Sequence, residues 1–237
     1  MTYKNGDVAD SEFKDGKCNG QGKCFKYNGD VYEGGFLDNY YHGRGKLTYK
    51  AGGYYDGEWK NGFATGKGTK LFQSGDLYKG DFVKGKPDGY GECEYKNGNK
   101  YCGEWKQNTL TGKGKLYYSN GTIYDGDWNS NKKVNGHVTF KDGGEHWAQY
   151  QNDAITGPYK RKYPNGTILE GPVVNGKING SGTYTFTSGK VWEGNFKDDL
   201  LQGDGYVIHQ GKRTKVIFKD NKIEKELGDE AANKGRL

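Results

Sequence analysis

The stretch that decides the fold reads GECEYKNGNKYCGEW over residues 91–105. Two segments with alternating side chains flank an Asn-Gly pair, which is typical of the turn in a β-hairpin. Because side chains alternate across a strand, Tyr101, Gly103 and Trp105 share one face. The stretch therefore predicts a hairpin that carries its large rings and its smallest residues on the same side.

The register of this hairpin can be predicted if the aromatic side chains of both strands, Tyr95 on the first and Tyr101 and Trp105 on the second, lie on one face of the sheet. A two-residue turn would set Cys93 opposite Cys102 and separate the rings, whereas an odd-length loop joins them. The predicted pairs are Tyr95 with Tyr101, Cys93 with Gly103 and Gly91 with Trp105. Each ring then lies near a glycine, whose missing Cβ leaves room for it. Cys93 and Cys102 fall on opposite faces, so no disulfide is expected between them.

The pattern recurs every 23 residues along the chain. The tyrosines of the series are Tyr32, Tyr55, Tyr78, Tyr101 and Tyr124, each with a glycine two residues later and an aromatic ring four residues later. A second series consists of the pairs Gly20/Gly22, Gly43/Gly45, Gly66/Gly68, Gly89/Gly91 and Gly112/Gly114. A period of this length is typical of stacked repeat units. We predict an all-β fold, an elongated single-layer twisted antiparallel sheet of stacked 23-residue β-hairpin repeats.

The composition indicates an ordered chain without a conventional core. Only 32% of the 237 residues are apolar and the mean hydropathy is −1.06, values typical of disorder, but the aromatic residues, 15% of the total, are periodic. No apolar run approaches the ~20 residues of a membrane helix, and the first residues lack the apolar core of a secretory signal. We therefore expect a soluble protein of the cytoplasm.

The sequence offers no catalytic or metal-binding motif. The Gly-x-Gly pairs do not open a helix, as a phosphate-binding loop requires, and the four histidines stand far apart. The four cysteines form no paired CxxC motifs, so free thiols and no metal site are expected. The formal charge of +6 is a mild bias that does not predict nucleic acid as a partner. We predict a protein that is not an enzyme and has no cofactor.

The succession Tyr-x-Gly-x-Trp/Phe, Gly-x-Gly and Asn/Ser-Gly before the next tyrosine resembles the MORN repeat family (membrane occupation and recognition nexus). The match is close at residues 32–54, 55–77, 78–100, 101–123 and 192–214. The resemblance implies an elongated antiparallel sheet whose aromatic side chains line a groove. It also implies a scaffolding or targeting role, as in the radial spoke heads of the ciliary axoneme.

The periodic rings are the predicted partner-binding groove. They are Tyr32, Phe36, Tyr55, Trp59, Tyr78, Phe82, Tyr101, Trp105, Tyr124, Trp128, Trp192 and Phe196. Packing on the sheet's own glycines is the alternative, and it is the stronger expectation for any single ring. A single-layer sheet nevertheless leaves one side of the rings partly open to an extended peptide or a helix of a partner.

Departures from the pattern predict five segments. They are a degenerate N-terminal capping repeat at 1–31, regular repeats at 32–128, irregular repeats at 129–191, a C-terminal repeat with a partial repeat at 192–218, and a charged tail at 219–237. A short helix is expected within the tail, over residues 223–237.

The irregular segment has two interpretations. The stretch after Trp128 is one residue too long for the pattern, Trp147 stands at the place of the tyrosine, and three of the four prolines fall in this segment. Proline cannot donate to a strand ladder, so bends or bulges are expected. The segment is either tolerated drift or a partner-specific surface, and the residues leave both open. The predicted surface consists of Trp147, Tyr150, Tyr159 and Tyr163.

The leading hypothesis is a non-catalytic scaffold that binds other proteins within a cytoskeletal or ciliary assembly, with a homodimer or a pair of paralogues as a further option. Its expected location is the cytoplasm, at the cytoskeleton or the axoneme of a cilium. The alternative is a peripheral membrane adaptor that binds anionic phosphoinositides through Lys60, Lys84, Lys106 and Lys113 on recurring loops. A module that regulates an enzyme in trans is a third, weaker hypothesis.

Overall fold

Every regular element of the computed structural model, which describes residues 1–229, is a β-strand. The strands are β1 (Val8–Lys14), β2 (Lys17–Phe25), β3 (Val31–Leu37), β4 (Tyr40–Thr48), β5 (Tyr54–Lys60), β6 (Phe63–Leu71), β7 (Leu77–Val83), β8 (Lys86–Glu94), β9 (Lys100–Lys106), β10 (Thr109–Tyr117), β11 (Ile123–Asn129), β12 (Lys132–Thr139), β13 (Glu145–Gln151), β14 (Ala154–Lys162), β15 (Ile168–Val174), β16 (Lys177–Ile178), β17 (Gly180–Thr185), β18 (Val191–Lys197), β19 (Leu200–His209), β20 (Lys212–Lys219) and β21 (Lys222–Asp229). All 21 belong to one antiparallel sheet, which confirms the predicted all-β fold of stacked hairpins.

The chain divides into two compact units. Unit 1 comprises residues 1–119 and 128–131, and unit 2 comprises residues 120–127 with the chain from 132 onward. In unit 1, β8 pairs with β7 on one side and with β9 on the other, and the neighbouring strands follow the same scheme. We call the face that carries Tyr101, Gly103 and Trp105 the ring face, and the opposite face the outer face.

The predicted register of the 91–105 hairpin is wrong by two residues. The observed pairs are Gly89 with Trp105, Gly91 with Gly103 and Cys93 with Tyr101. A shift of two residues keeps every side chain on its face. The rings therefore share one side, and Cys93 and Cys102 lie on opposite faces, as predicted.

The register differs because the loop is odd-numbered but shorter than predicted. The backbone N–H of Tyr95 donates to the carbonyl of Asn99, and that of Gly98 donates to the carbonyl of Tyr95, both at 2.9 Å. The loop thus has three residues. Gly98 has φ 84°, a left-handed conformation that glycine adopts without a steric penalty, and this closes the short loop.

The observed register sets glycine opposite glycine across unit 1. The row runs from β2 to β10 through Gly22, Gly34, Gly45, Gly57, Gly68, Gly80, Gly91, Gly103 and Gly114. A Cβ on Gly91 would collide with the ring and hydroxyl of Tyr78. The tyrosine rings therefore lie directly on the backbone of this row of glycines, which we call the glycine lane.

The rings of successive repeats interlock in edge-to-face contacts. The Tyr78 ring meets Phe82 of its own repeat and Trp105 of the next, both at a centroid distance of 5.1 Å. The same contact between repeats joins Tyr32 to Trp59, Tyr55 to Phe82 and Tyr101 to Trp128. Edge-to-face geometry is the favoured arrangement of aromatic pairs. Because each repeat completes the core of its neighbour, a single repeat could not bury its own rings.

Turn side chains add polar links between repeats. The Asp76 Oδ1 atom accepts a hydrogen bond from the backbone N–H of Lys96 at 2.9 Å. At the opposite turns, Asn39 Oδ1 accepts one from the backbone N–H of Cys18 at 2.8 Å. Asn39 has φ 71°, a conformation that asparagine tolerates better than most residues.

The core of unit 2 between β15 and β21 is mainly aliphatic. Its buried members are Leu169, Val173, Ile178, Phe196, Leu201, Val216 and Phe218. The glycine lane persists there, but aliphatic side chains fill the space above it. A Cβ on Gly171 would lie 3.0 Å from Ile178 Cγ2, and one on Gly194 would lie 2.9 Å from Leu201 Cδ2.

The C-terminal segment departs from the prediction. The sequence predicts a helix over 223–237, but residues 222–229 form β21, which pairs with β20. The helix prediction is wrong there because Ile223 packs against the aliphatic core and keeps the segment in the sheet. Residues 230–237 lie outside the described part of the chain. The other predicted segment boundaries stay predictions.

Candidate functional site

The predicted groove residues form the core of the ring face. All twelve except Trp192, which is half-buried, are buried, and the five tyrosines are at most 1% exposed. The Tyr78 hydroxyl donates to the Asp81 carbonyl at 3.1 Å, and the Tyr101 hydroxyl donates to the Glu104 carbonyl at 3.2 Å. Burial raises the pKa of both hydroxyls, so they stay protonated donors at neutral pH.

The tryptophans also use their polar atoms inside the protein. The indole N–H of Trp59 donates to the Gly45 carbonyl at 2.8 Å, and that of Trp105 donates to the Gly91 carbonyl at 3.2 Å. These carbonyls belong to the glycine lane, which the rings cover. A partner-binding role for the ring residues stays a prediction. Because the rings are buried and their polar groups donate to carbonyls of the protein, little ring surface and few donors remain for a partner.

The four residues of the predicted irregular surface do not share a face. His137 pairs with Trp147 and Val138 pairs with His146, so His146 occupies the place of the tyrosine. Trp147 lies on the outer face. The other three, Tyr150, Tyr159 and Tyr163, lie on the ring face.

Trp147 was predicted at the tyrosine place, which His146 occupies, because the length of the preceding stretch was misjudged. Gly136 pairs with Ala148 and takes the place of the second glycine of the pair, not the first. The stretch after Trp128 is therefore one residue short, and the prediction that it is one residue too long is wrong. A step of 22 residues from Tyr124 to His146 was the signal that could have shown this.

Around His146 a small ring replaces the usual tyrosine, and a tyrosine replaces one of the usual glycines. The small His146 ring stands at the tyrosine place, and Tyr159 stands where regular repeats have the second glycine, with its ring 5.6 Å from the imidazole. The His146 Nε2 atom lies 2.8 Å from the Tyr150 hydroxyl. Burial, followed by the nearby positive charges of Arg161 and Lys133, lowers the pKa of His146 to about 4. The imidazole is therefore neutral at physiological pH.

The outer face of unit 1 is charged and internally paired. Three residues after Tyr55, Tyr78 and Tyr101 stand carboxylates that accept hydrogen bonds from backbone N–H groups at the bulges. The pairs are Glu58 with Lys67 at 3.2 Å, Asp81 with Tyr90 at 3.1 Å and Glu104 with Lys113 at 3.0 Å. Opposite charges also alternate across strands, as in the contact between Lys67 and Asp81 at 2.7 Å. This face is a solvated surface with little net field.

Exposed apolar side chains gather at one row of turns in unit 1. They are Leu37 at 46% exposed, Tyr40 at 58%, Phe63 at 57% and Val83 at 43%. We call these four residues the turn patch. Successive turns lie side by side, because the N–H of Gly62 donates to the Tyr41 carbonyl at 2.9 Å.

The structure separates the four predicted lipid-binding lysines. Lys60, Lys84 and Lys106 are exposed at the row of turns that carries the turn patch, whereas Lys113 lies within β10. Lys106 approaches Asp88 at 3.4 Å, which offsets part of its charge.

The remaining chemistry of the described part is limited. The four cysteines are free thiols, as predicted. Over residues 1–229 no cluster of His, Cys, Asp and Glu is arranged to hold a metal ion. No helix suited to crossing a membrane occurs in the same range.

The repeat assignment rests on a family comparison. A model of the MORN repeat matches residues 10–31, 32–54, 55–77, 78–100, 101–123, 124–145 and 170–191, which is more than half of the chain. The chain belongs to the MORN repeat family. The matched MORN segments include 10–31, which the sequence analysis treated as a degenerate cap. They do not include 192–214, which it regarded as a close match.

Solved structures show where the MORN sheet has relatives in fold. The TCP10 domain of CPAP from Danio rerio, in complex with a peptide of Danio rerio STIL, has a TM-score of 0.53 and 17% identity, with 88% of this chain and 90% of that chain covered. The same domain without the peptide has a TM-score of 0.51 and 17% identity, with 88% and 96% covered. At this identity the likeness concerns the fold alone. Among curated proteins, none matches the chain.

Proposed function

We propose that this MORN protein is a non-catalytic scaffold that binds other proteins through side chains its own core does not use. The observation that carries the proposal is the turn patch, which leaves Tyr40 and Phe63 more than half exposed. Adjacent exposed apolar side chains are typical of interaction surfaces. In support, a domain of similar fold, the TCP10 domain of CPAP, was solved with a bound STIL peptide.

The structure offers this scaffold two further features. The outer face of unit 1 carries opposite charges that are already paired with each other. Such a surface can orient a partner protein but adds little to the affinity for it. Strand β21 presents a charged edge, KIEKELGD, of the kind that discourages uncontrolled strand addition. Self-association through β21 is therefore a weaker option than binding at the turn patch.

The cellular setting is a separate part of the proposal, suggested by the family resemblance. We propose a cytoskeletal assembly, with a radial-spoke-like role in the ciliary axoneme as the specific form. Imaging of the tagged full chain in ciliated cells should place it along the axoneme. Uniform cytoplasmic signal in cells with intact cilia would remove this part and leave the scaffold proposal intact.

A residue-resolved cross-linking experiment tests the scaffold. The full chain and a variant that carries F63D and V83D are expressed in the same cells and treated with an amine cross-linker. Cross-links from Lys60 and Lys84 to another protein are expected in the wild type and should be lost in the variant. Y27D is the control, because Tyr27 is 83% exposed at the other row of turns. Cross-links that survive F63D and V83D would contradict the proposed surface.

One observation favours an anionic membrane as a second candidate. Lys60 and Lys84 flank Phe63 and Val83, so basic and apolar groups are presented together. Each basic residue near an anionic surface contributes only ~1 kcal/mol. Flotation with phosphatidylcholine vesicles, with and without a phosphatidylinositol phosphate, decides this. Binding that requires the phosphoinositide and is lost in the variant with F63D and V83D would favour it, and absence of flotation would exclude it.

A further inference from the structure

A cleft of about 720 Å³ opens in unit 2. It crosses β12 to β15, and side chains of the outer face line it. These side chains include Asn135, His137, Trp147, Gln149, Pro158 and Pro172. None of them belongs to the ring-face core, so the fold does not require this combination.

Trp147 replaces a charged residue on the outer face. At the same place, one residue after the tyrosine, four of the five regular repeats have a charged residue, Glu33, Asp56, Lys79 or Asp125, and the fifth has Cys102. Trp147 is 37% exposed, and its ring stacks on His137 with the centroids 4.5 Å apart and the planes 7° apart. The imidazole stacks on one side of the indole, and Lys160 on β14 brings its Nζ atom to 6.0 Å from the ring centroid. The part of the ring that stays exposed borders the cleft.

The prolines replace the polar groups that occupy this face in unit 1. Pro158 pairs with Pro172 across β14 and β15. The corresponding pair in unit 1 is Lys67 and Asp81, which form an ion pair at 2.7 Å, and the backbone N–H of Lys67 donates to the Glu58 carboxylate at 3.2 Å. Because proline has no N–H, no carboxylate is required here, and the wall is apolar.

The cleft has almost no net charge. Lys160 and Glu170 form an ion pair at 3.0 Å, and Glu145 contacts both Lys162 and His137 at 3.1 Å. Each carboxylate at the rim thus already has a cationic or hydrogen-bonding partner. A phosphorylated, strongly acidic or strongly basic ligand would find no complementary charge, so an uncharged ligand is favoured.

We propose that this cleft binds a proline-rich segment of a partner protein in the polyproline II conformation. Flat aromatic surfaces are the usual docking sites for such segments, whose stiffness lowers the entropic cost of binding. Proline rings would pack on the Trp147 indole and against Pro158 and Pro172. The carbonyl groups of the segment would accept hydrogen bonds from the Trp147 N–H and the Gln149 amide.

The dimensions of the sheet set the length of the segment. Four strands at ~4.8 Å spacing span ~14 Å, which corresponds to about five residues at ~3.1 Å per residue. An oligosaccharide could also stack on an indole, but it would need unpaired carboxylates or amides around the ring. The two nearest carboxylates, Glu145 and Glu170, are already paired, which favours the peptide.

The test measures fluorescence anisotropy of labelled hexaproline with the full chain. Saturable binding is expected, displaced by unlabelled hexaproline and not by a Gly-Ser hexamer. W147D should weaken binding at least about tenfold, as loss of an aromatic anchor does. Since Asp56 and Asp125 stand at the same place in other repeats, W147D should retain the wild-type melting temperature.

Two variants complete the design. P158N, which copies Asn135 of the preceding hairpin, should weaken binding about threefold, in line with loss of one apolar contact. Y90D is the matched control, because Tyr90 is 57% exposed in the outer-face position of β8 that corresponds to Pro158, and it should leave binding unchanged. Equal binding by folded W147D and wild type would overturn the proposal. So would absence of hexaproline binding, or binding of cellohexaose in its place.

The proposal rests on the scaffold function, but the two can fail separately. Loss of hexaproline binding with intact Lys60 and Lys84 cross-links would remove the cleft proposal and leave the scaffold. Loss of those cross-links with intact, Trp147-dependent hexaproline binding would move the partner surface from the turn patch to the cleft. Absence of both would overturn both.

Discussion

Tyr78 in β7 and Leu169 in β15 occupy the same place in their repeats, yet their surroundings are built differently. The Tyr78 ring lies on the glycine lane at Gly91, and its hydroxyl is bound to the Asp81 carbonyl at 3.1 Å. Leu169 instead belongs to a cluster of aliphatic side chains. The comparison shows that one backbone plan accepts two kinds of core.

The two cores differ in what they demand of the sequence. A ring on bare backbone needs glycine at a fixed place, a carbonyl at a fixed distance and a second ring from the next repeat. An aliphatic cluster needs mainly volume and tolerates exchange of shape among its members. This explains why the family pattern is regular over 32–123 and weaker in unit 2.

The largest expected difference between the two regions concerns the lane itself. G91A should destabilise unit 1 by about 2–3 kcal/mol, because the new methyl group collides with the Tyr78 ring. G171A is the matched change in unit 2 and should cost less than about 1 kcal/mol, since only the Ile178 methyl group must move. Neither glycine has a left-handed φ, so backbone strain does not contribute. Hydrogen exchange of each unit provides the measurement, and equal losses would show that the rings do not need the lane.

Acidification should weaken unit 2 selectively. The pKa of His146 is lowered to about 4 in the folded chain, below the usual value of about 6.5, so the unfolded chain binds the extra proton first. The stabilising effect of the neutral imidazole is complete above pH ~6.5 and is lost as the pH falls toward 4, at up to roughly 1.4 kcal/mol per pH unit.

The tyrosines of unit 1 have raised pKa values and do not titrate in this window. H146Q should therefore remove the pH dependence of exchange in β13 and β14. A profile between pH 4 and 6.5 that is unchanged in H146Q would assign the effect to other groups.

A smaller effect is expected from the tyrosine hydroxyl. Y78F keeps the ring on its lane but leaves the Asp81 carbonyl without the hydrogen bond, at a cost of about 1 kcal/mol. Y184F in unit 2 provides the contrast, because Tyr184 is only half-buried beside the aliphatic cluster and should cost less. Urea unfolding followed by exchange within each unit compares the two. A larger loss in Y184F would mean that the hydroxyl contributes little to the ring core.

The smallest expected effect is the difference in stability between variants of Trp105 in unit 1 and Trp192 in unit 2. Trp105 donates to the Gly91 carbonyl, whereas the buried Nε1 of Trp192 has no acceptor among the described residues. W105F should therefore cost about 0.5–1 kcal/mol more than W192F, since both remove similar ring volume and only one removes a hydrogen bond. Equal losses in thermal unfolding would show that ring volume alone decides.

The sequence predicted correctly which side chains share a face in the regular repeats, but it did not predict the register of the strands or the face of Trp147. The 23-residue period and the two-residue alternation placed Tyr101, Gly103 and Trp105 on one face, as observed. The register was two residues off because it depends on the length of the loop that Gly98 closes. Trp147 was assigned to the ring face because one missing residue before β13 reverses the face of the side chains within that strand.

The candidate surfaces were less predictable than the fold. The rings predicted as a groove are buried, and the turn patch has only a partial periodic signal. Tyr40 and Phe63 stand 23 residues apart, but Lys86 follows them in the same series. The outward place of Trp147, which the cleft depends on, became visible only through its pairing with His137.

The sequence by itself determined the repeat, the strand faces and the pairing of ring with glycine, because these follow from spacing and from the absence of a Cβ. Only the tertiary structure decided the register, the exchange of His146 and Tyr159, and the joining of Trp147, Pro158 and Pro172 in one cleft. These features depend on loop closure and bulges, where a single residue moves a side chain from one face to the other.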